Sequence, residues 1–445
     1  MKVLFRYALW LLAGAVGFFV AGGIALWLLH ARLTHYVESA SFRQKMDKST
    51  SKGLHFTGQY GPFRRTGLFS VASESFKAGK GEKALESLSA HIIAAEFNPW
   101  GIFLRRWQID SIHIESGEVQ TQIYEPKPEK KSPKPWYSIF LPDHVYLKEV
   151  VCDTAKVTWQ FRDEEGGFYK TRLRITPHGR DFEYDASGGK MKMALMPDLS
   201  LIHMHMLITK EWLTLYKLHL AQGEEGNIEI EAKAGLKDDA QTEGRVHFYN
   251  LPVGPWIPSS WKASFEGITS GEVSWKSKNR KLQSSSGYGT LNIRGGHVTG
   301  VPLLEEMAAL TKKESLKSLH LDSCSLNVKW DYPHIEIKDI DIEAKGIFRI
   351  HGQITLEGRT LIGRIQFGAV PEYLEWLPKA EEVFTSKGGG YLLTTVRFSG
   401  TADNPQQDLS PRMTKVLKES PGAYVGTFFR LFGEWMENFF TGKKK

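Results

Sequence analysis

The sequence predicts a mainly β protein: an elongated, curled, groove-like antiparallel β-meander with a few short helices, between an N-terminal transmembrane helix and a C-terminal amphipathic helix. Short segments of alternating apolar and polar residues, broken by Gly, Asp, Asn and Ser, run from about residue 54 to 405. Aromatic residues make up 12% of the chain and glycines number 42, a composition typical of strands and turns. Helical periodicity interrupts the strands only occasionally, which argues against a parallel βαβ sheet.

The predicted membrane anchor comes first. Positions Tyr7 to Leu29 are uncharged and mostly apolar, and about 20 such residues span a bilayer core as a helix. Tyr7 and Trp10 near one end and Trp27 near the other occupy the places of interfacial aromatics. The run is too long for a cleaved signal peptide, whose apolar region has about 7–15 residues. More Lys and Arg residues follow this segment than precede it, and this count alone would place the C-terminal side in the cytoplasm. Long domains translocate largely regardless of charge, so we expect the N-terminus in the cytoplasm and the bulk outside.

Changes of pattern divide the chain into five parts. We predict a cytoplasmic tip and anchor (1–30), a juxtamembrane stalk (31–53), an N-terminal β-rich region (54–285), a second β region (286–410) and an amphipathic aromatic helix with a basic tail (411–445). Apolar residues at a spacing of three to four, with proline in the first turn, predict two short helices. They are Pro302–Thr311 and Pro371–Phe384, and Thr209–Leu220 is a third candidate.

One sequence template recurs along the β regions. Each copy reads apolar-x-apolar, then polar and small residues, then apolar again. The copies begin at Ile112, Val150, Leu291, Leu319 and Ile354. We interpret each copy as a β-hairpin, because small and polar residues tolerate the positive φ of tight turns.

The C-terminal segment has a wide aromatic face, with Phe428, Phe432, Trp435 and Phe439 at 4-3-4 spacing. Such a helix can lie on a membrane surface, bind a partner helix or cap the end of the sheet, and the sequence does not decide among these three alternatives.

No sequence motif indicates catalysis. The chain has no phosphate-binding or dinucleotide loop and no G-x-S-x-G element, so we expect a non-enzymatic protein without a cofactor or a metal. Two cysteines exclude a four-cysteine zinc site. A net charge of +7 is mild for 445 residues, so we expect no nucleic-acid partner.

The predicted helices are too few to cover so many strands. One solution is a curled sheet whose concave side stays apolar, a natural host for acyl chains; the alternative is a stack of closed β-sandwiches. The candidate residues for the groove are apolar strand positions, namely Ile112, Ile114, Val119, Leu291, Ile293 and Leu321.

The order of these features resembles that of the AsmA-like proteins. Their C-terminal region opens with G-x-G-x-Φ-x-Φ-x-x-G, as Gly287 to Gly296 does, continues with a short helix and a hairpin, and closes with G-T-x-x-N-P, as Gly400 to Pro405 does. The resemblance covers roughly two thirds of the chain and includes no catalytic signature.

The resemblance implies a single-pass inner-membrane protein whose bulk lies in the periplasm of the bacterial cell envelope. AsmA-like proteins are similar to bridge-like lipid transfer proteins, so we expect phospholipid binding and transport through an apolar β-groove in support of outer-membrane biogenesis. Phospholipids and the inner membrane are then partners, together with an envelope protein bound through the transmembrane or C-terminal helix. The alternative is a non-catalytic structural factor in outer-membrane protein assembly.

Overall fold

A computed structural model describes residues 30–54, 57–79, 85–100, 107–121, 145–161, 164–193, 196–237, 240–257, 262, 264–278, 282–300, 302–401 and 404–418. These residues form a mainly β protein with few helices, as predicted. The chain divides into two compact units, unit 1 up to residue 194 and unit 2 from residue 195. The predicted boundary at 285/286 lies at the first residue of a strand in unit 2.

In the described residues of unit 1, two helical segments precede nine strands. The predicted stalk, residues 31–53, is helical up to residue 37 and again from residue 40. The elements are α1 (Ala40–Leu54), β1 (Gly58–Tyr60), β2 (Phe63–Arg65), β3 (Ser70–Ala78), β4 (Leu85–Phe97), β5 (Trp107–Thr121), β6 (Val145–Phe161), β7 (Glu164–His178), β8 (Asp181–Ser187) and β9 (Lys190–Lys192). The stalk packs on the first strands: Asp47 Oδ1 accepts the backbone N–H of Tyr60 at 2.7 Å, and the Phe42 and Phe63 rings meet at 5.2 Å.

One pairing in unit 1 departs from the predicted antiparallel meander. β5 and β6 are parallel, with Ile112 opposite Val150 and Val119 opposite Val157. The other ladders of unit 1, from β3–β4 to β7–β8, are antiparallel. A parallel pair needs a long connection, and residues 122–144, which link these strands, include the Pro/Lys-rich segment Glu125–Pro135.

Unit 2 is a run of antiparallel ladders in which most neighbours in sequence are also neighbours in the sheet. Its strands are β10 (Leu199–Ile208), β11 (Trp212–Gln222), β12 (Gly226–Gly235), β13 (Thr242–Pro252), β14 (Phe265–Ser277), β15 (Ser285–Thr299), β16 (Ser318–Leu321), β17 (Ser323–Asp331), β18 (His334–Ala344), β19 (Phe348–Glu357), β20 (Thr360–Ala369), β21 (Ser386–Gly388), β22 (Tyr391–Thr401) and β23 (Asn404–Gln407).

Among the described residues of unit 2, three helices lie against its last strands. They are α2 (Pro302–Thr311), α3 (Ala380–Val383) and α4 (Leu409–Lys418). Val383 is 0% exposed and Leu361, on β20, is 1% exposed. Both belong to one apolar cluster that joins α3 and α4 to strands β18–β22, so this end of the unit has an ordinary covered core.

Two of the three helix predictions are corrected. Pro302–Thr311 is confirmed as α2. Pro371–Phe384 is a 3-10 turn at Pro371–Tyr373 followed by the single turn α3, since Pro378 disfavours helical backbone in the residue before it. Thr209–Leu220 falls largely on strand β11, where a bulge between Leu215 and Leu218 produces the spacing of three that imitates a helix.

The hairpin interpretation of the repeated template is wrong for four of the five copies. The copies starting at Ile112, Val150 and Leu291 each lie within one strand, and the copy starting at Leu319 continues from β16 into β17 along the same partner, β15. Only the copy starting at Ile354 turns, between β19 and β20. In the copies starting at Val150 and Leu291, the apolar positions shift by an odd number of residues because the strand carries a bulge, after Cys152 in one and after Arg294 in the other.

The predicted membrane contacts lie outside the described residues. Tyr7, Trp10 and Trp27 belong to residues 1–29, and Phe428, Phe432, Trp435 and Phe439 belong to residues 419–445. Among the helices that the structure describes, none combines the length and the hydropathy needed to cross a bilayer.

Candidate functional site

The central strands of unit 2, β11–β15 and β17, present apolar side chains in rows that cross the sheet. Because side chains alternate between the two faces of a strand, residues paired in register share a face. We call this the apolar face. Its middle row is Leu218, Ile230, Val246, Val273, Gly289 and Val328. The neighbouring row lies toward the end of the face at Leu251 and Ile293, and we call it the closed-end row. It is Leu220, Ile228, Phe248, Gly271, Leu291 and Leu326.

The opposite face of the same strands is polar. One of its rows is Glu229, His247, Glu272, Thr290 and Asn327. His247 Nδ1 lies 3.5 Å from Glu272 Oε2, and Arg245 Nε donates to Ser274 Oγ at 3.3 Å. These contacts between residues paired in register confirm that the polar side chains meet on their own face. The sheet is therefore amphipathic across its thickness.

Four of the six residues in the middle row are only half-buried. Ile230, Val246, Val273 and Val328 retain intermediate exposure, whereas Leu218 and Gly289 are buried. Leu361 beneath the helices is almost completely buried by comparison. A second layer packed at normal density would bury such side chains almost fully. Within the part of the chain that the structure describes, the centre of the apolar face is thus less covered than the core at the end of the unit.

Tryptophans and glycines alternate in the row on the other side of the middle row from the closed-end row. This tryptophan row is Ala232, Gly244, Trp275, Gly287 and Trp330. A Cβ on Gly244 would lie 2.4 Å from Cζ2 of Trp275, and a Cβ on Gly287 would lie 2.4 Å from Cζ2 of Trp330. Each indole therefore lies over the glycine of the neighbouring strand. Trp330 Nε1 donates to Ser285 Oγ at 3.2 Å, which fixes one ring in this position.

The two ends of the apolar face differ. Beyond the closed-end row the next paired residues are Leu251, Thr269 and Ile293, which are 4%, 7% and 8% exposed. The 3-10 turn Gly254–Trp256 lies here, and Trp256 Nε1 donates to Gln222 Oε1 at 2.7 Å. Beyond the tryptophan row the paired residues are hydroxyl-bearing: Thr242, Ser277 and Ser285. Ser277 and Ser285 are 8% and 5% exposed, so the two ends differ in polarity and not in burial.

Unit 1 repeats the amphipathic pattern. Its apolar rows follow the ladders β3–β7, and in one of them Ile93, Ile114, Cys152 and Leu173 are paired. On the opposite face His113 Nε2 lies 2.9 Å from Asp153 Oδ2, and Lys156 pairs with Glu118. Burial raises the pKa of the Cys152 thiol, so this sulfur behaves as an apolar group.

Irregular residues align across the strands of unit 1. Ile92 on β4 and Lys170 on β7 have φ of 50° and 57°, and the β6–β7 register shifts between Cys152 and Ala155. A Cβ on Gly117 would lie 3.3 Å from Cys152 Sγ and 3.8 Å from Ile114 Cγ2, so the apolar positions on both sides of the shift keep to one face. The bulge in the β6–β7 ladder increases the local twist and bends these strands.

The candidate groove residues occupy apolar faces but differ in burial. Ile112, Ile114 and Val119 lie on the apolar face of unit 1, and the latter two pack against a cluster around Phe76. In unit 2, Leu291 is half-buried in the closed-end row. Ile293 and Leu321 are 8% and 4% exposed, so these two belong to the packed interior and are poor candidates for ligand contact.

Sequence reasoning missed the tryptophan row. The signal was present as strict alternation, with Gly244 and Val246 following Thr242, and Val273 and Trp275 following Gly271. What it lacked was the register that sets a glycine of one strand beside a tryptophan of the next.

Comparisons with protein-family models, with curated proteins and with solved structures each returned no match. The resemblance to AsmA-like proteins therefore remains a prediction from the motifs Gly287–Gly296 and Gly400–Pro405.

Proposed function

We propose that this chain is a membrane-anchored protein of the bacterial envelope that binds phospholipids and passes them between membranes, with acyl chains lying on the apolar faces of its curled, groove-like sheet. The observation that carries the proposal is the half-buried middle row of unit 2, Ile230, Val246, Val273 and Val328, set back to back with a polar face. Contiguous apolar surface that stays accessible on a folded protein often marks a binding site.

The apolar face has the dimensions of an acyl chain. From β11 to β17 it crosses six strands, roughly 24 Å at about 4.8 Å per strand. From the closed-end row to the tryptophan row it extends four residues along β13, roughly 13 Å at about 3.3 Å per residue. One leaflet of a bilayer has a hydrocarbon depth of about 15 Å, so one acyl chain laid along the strands would stay in contact with apolar side chains over most of its length.

The free energy of acyl-chain burial favours passive lipid transfer. Leaving a lipid in water exposes each CH₂ at a cost of about 0.8 kcal/mol, and a half-covered apolar face offsets part of that cost without any chemical step. Transfer along such a face is downhill diffusion and requires no catalytic group. The uncharged segment from Tyr7 to Leu29 would hold the face beside the donor membrane.

Photo-crosslinking from the two faces of one strand tests the proposal. A photoreactive amino acid at Val273 points to the apolar face, and the same amino acid at Ser274 points to the polar face. The full chain, expressed in a diderm bacterium and irradiated in cells, should give phospholipid adducts by mass spectrometry from position 273 and not from 274. Equal adducts from both, or none from 273, would overturn the proposal.

A matched pair of charge substitutions on β17 adds a second readout. Val328 lies in the middle row, and Asn327, beside it, donates to Asp339 Oδ2 on the polar face. Val328→Lys should reduce lipid adducts at position 273 at least tenfold, because placing an ammonium group against acyl chains costs more than the 1.4 kcal/mol of a tenfold change. Asn327→Lys should leave them unchanged. Protein adducts without lipid at 273 would instead support the assembly-factor alternative.

A further inference from the structure

One end of the unit 1 sheet carries large apolar side chains that are exposed. Leu68 and Phe69, in the turn between β2 and β3, are 64% and 46% exposed. Trp100, which follows β4, is 69% exposed, and Tyr146, near the start of β6, is 48% exposed. Single exposed apolar residues are ordinary on a protein surface, whereas a group of them often marks a binding site.

Backbone contacts place these residues at neighbouring strand ends. The N–H of Phe97 donates to Phe69 O at 2.8 Å, and the N–H of Asn98 donates to Gln108 O at 2.9 Å. Gln108 is paired with Tyr146 in the parallel β5–β6 ladder. The four exposed residues therefore belong to one end of the sheet. We call them the rim: Leu68, Phe69, Trp100 and Tyr146.

The first helical segment begins at the rim. Arg65, at the end of β2, donates to His30 O at 2.9 Å and to Thr34 Oγ1 at 3.1 Å. The same guanidinium donates to Leu68 O at 2.7 Å. Residue 30 directly follows Tyr7–Leu29, the uncharged segment that is predicted to span the membrane. The predicted span therefore ends beside the rim.

The opposite end of the same strands has no such rim in the part of unit 1 that the structure describes. β3 runs from the rim at Ser70 to Ala78, and Lys77 near its far end is exposed. Among the described residues at that far end, Met193 is the one exposed large apolar side chain, at 37%. Strand alternation treats the two ends of a strand alike, so the difference follows the position of the predicted anchor instead.

Charge does not distinguish the rim from its surroundings. Lys148 and Arg180 are exposed at this end of the sheet, and so is Glu96. The apolar side chains are therefore the feature that a partner would recognise. Trp and Tyr concentrate where hydrocarbon meets headgroups, because each ring has an apolar body and a polar group.

We propose that the rim inserts into the surface of the membrane that holds the anchor, with Trp100 and Tyr146 at the level of the headgroups and Leu68 and Phe69 in the outer hydrocarbon. Unit 1 then contacts the bilayer through its strand ends as well as through the anchor segment. This inference rests on the membrane anchoring in the proposed function and adds a second membrane contact. It does not depend on lipid transfer.

Fluorescence quenching from the two ends of β3 tests the contact. Leu68→Cys and Lys77→Cys each place an NBD fluorophore on the full chain, which is reconstituted into liposomes of phosphatidylethanolamine and phosphatidylglycerol. Some of the phospholipid carries a nitroxide just below the headgroup. Position 68 should be quenched about threefold more strongly than position 77, because an interfacial group lies about 5–10 Å deep while the far end of β3 stays in water. The parent chain, labelled in the same way, gives the background from Cys152 and Cys324.

The outcomes separate this inference from the proposed function. If the chain does not float with the liposomes, the membrane anchoring fails, and the inference with it. If the chain floats but positions 68 and 77 are quenched equally, the inference is wrong while the anchoring stands. If position 68 is shielded from aqueous iodide but is not quenched by the nitroxide lipid, a protein partner or a second copy covers the rim, and the bilayer contact is again wrong.

Removing apolar surface from the rim gives an independent readout. With the fluorophore at Tyr146→Cys, the double variant Leu68→Ser, Trp100→Ser should lower quenching by the nitroxide lipid roughly twofold, because interfacial binding scales with the apolar area that is buried. The control is Tyr216→Ser with Ile362→Ser, which removes apolar side chains that are 49% and 62% exposed on unit 2 and should leave this quenching unchanged. Equal effects of the two double variants would overturn the inference.

Salt dependence distinguishes apolar insertion from attraction by charge. Quenching at position 68 should be nearly the same at low and high salt, because salt screens exposed charges and does not weaken apolar burial. Quenching that disappears at high salt would show that charge and not the rim holds unit 1 against the bilayer, and the proposed insertion would then be wrong.

Discussion

Adding one methyl group at Gly287 should destabilise unit 2 far more than adding it at Gly289, two residues along the same strand. A Cβ at Gly287 would lie 2.3 Å from the Ser274 carbonyl oxygen and 2.4 Å from Trp330 Cζ2. At Gly289 the nearest atoms, Glu272 O and a Val273 methyl, are 3.2 and 3.3 Å away. Both glycines have ordinary backbone dihedrals, since neither has a positive φ, so space and not conformation distinguishes them.

The expected cost follows from three contributions. Overpacking costs about 1–3 kcal/mol. Displacing the indole of Trp330 strains its hydrogen bond to Ser285, about 0.5–1.5 kcal/mol. Replacing glycine with alanine reduces the entropy of the unfolded chain and returns about 0.4–1 kcal/mol. Gly287→Ala should therefore lower the free energy of unfolding by about 2 kcal/mol, and Gly289→Ala should change it by less than about 1 kcal/mol.

Urea unfolding monitored by circular dichroism measures the difference, since a lower midpoint at constant slope reports lost stability. In a double-mutant cycle, Trp330→Ala should relieve part of the Gly287→Ala cost, because the ring contact disappears, but not all of it, because the Ser274 carbonyl remains. If Gly287→Ala proves as stable as Gly289→Ala, the indole does not lie over this glycine and the tryptophan row must be redrawn.

Three further predictions concern other parts of the chain. Arg412, on α4, donates to Thr395 O at 2.6 Å, between the stretches of β22 that pair with β21 and with β23; Arg412→Met should lower the free energy of unfolding by about 1–3 kcal/mol in urea unfolding, whereas exposed Lys415→Met should leave the midpoint unchanged, and equal midpoints for the two variants would contradict this. Burial raises the pKa of Cys324 to about 11, so iodoacetamide at pH 8 should alkylate it about 100-fold more slowly than in the unfolded chain; equal rates would contradict this. Hydrogen bonds that His334 donates to the carboxylates of Glu357 and then Glu336 raise its pKa above 6.5, so its NMR titration midpoint should lie above that value and fall in Glu357→Gln. A raised histidine pKa contributes stability below its unfolded value, and that contribution is lost as pH rises through the folded pKa.

Much of the fold could be predicted from local pattern. The mainly β class and the helix Pro302–Thr311 follow from period-2 alternation and from apolar spacing with proline at the first turn. Two of the wrong predictions share one cause. A bulge shifts an apolar pattern by one residue, so the sequence of Leu213–Leu220 imitates a helix and the template beginning at Val150 imitates a hairpin.

The sequence predicted which type of residue lines the apolar faces, but not which of these residues stay accessible. Ile112 and Leu291 are apolar strand residues and lie on apolar faces, as their alternation requires. Ile293 and Leu321 follow the same pattern but are buried. Alternation identifies which side of a strand is apolar, whereas the depth of burial depends on the elements that pack over that side.

The sequence by itself determined that this chain forms strands with one apolar side, because side-chain alternation is a property of each strand alone. Only the tertiary structure decided which strands pair, that β5 and β6 run parallel, and that Trp275 and Trp330 lie over Gly244 and Gly287. Register and pairing depend on contacts between residues far apart in the chain, and no local pattern encodes them. The same contacts leave Val246 and Val273 half-buried while Leu361 is enclosed, and that difference locates the candidate site.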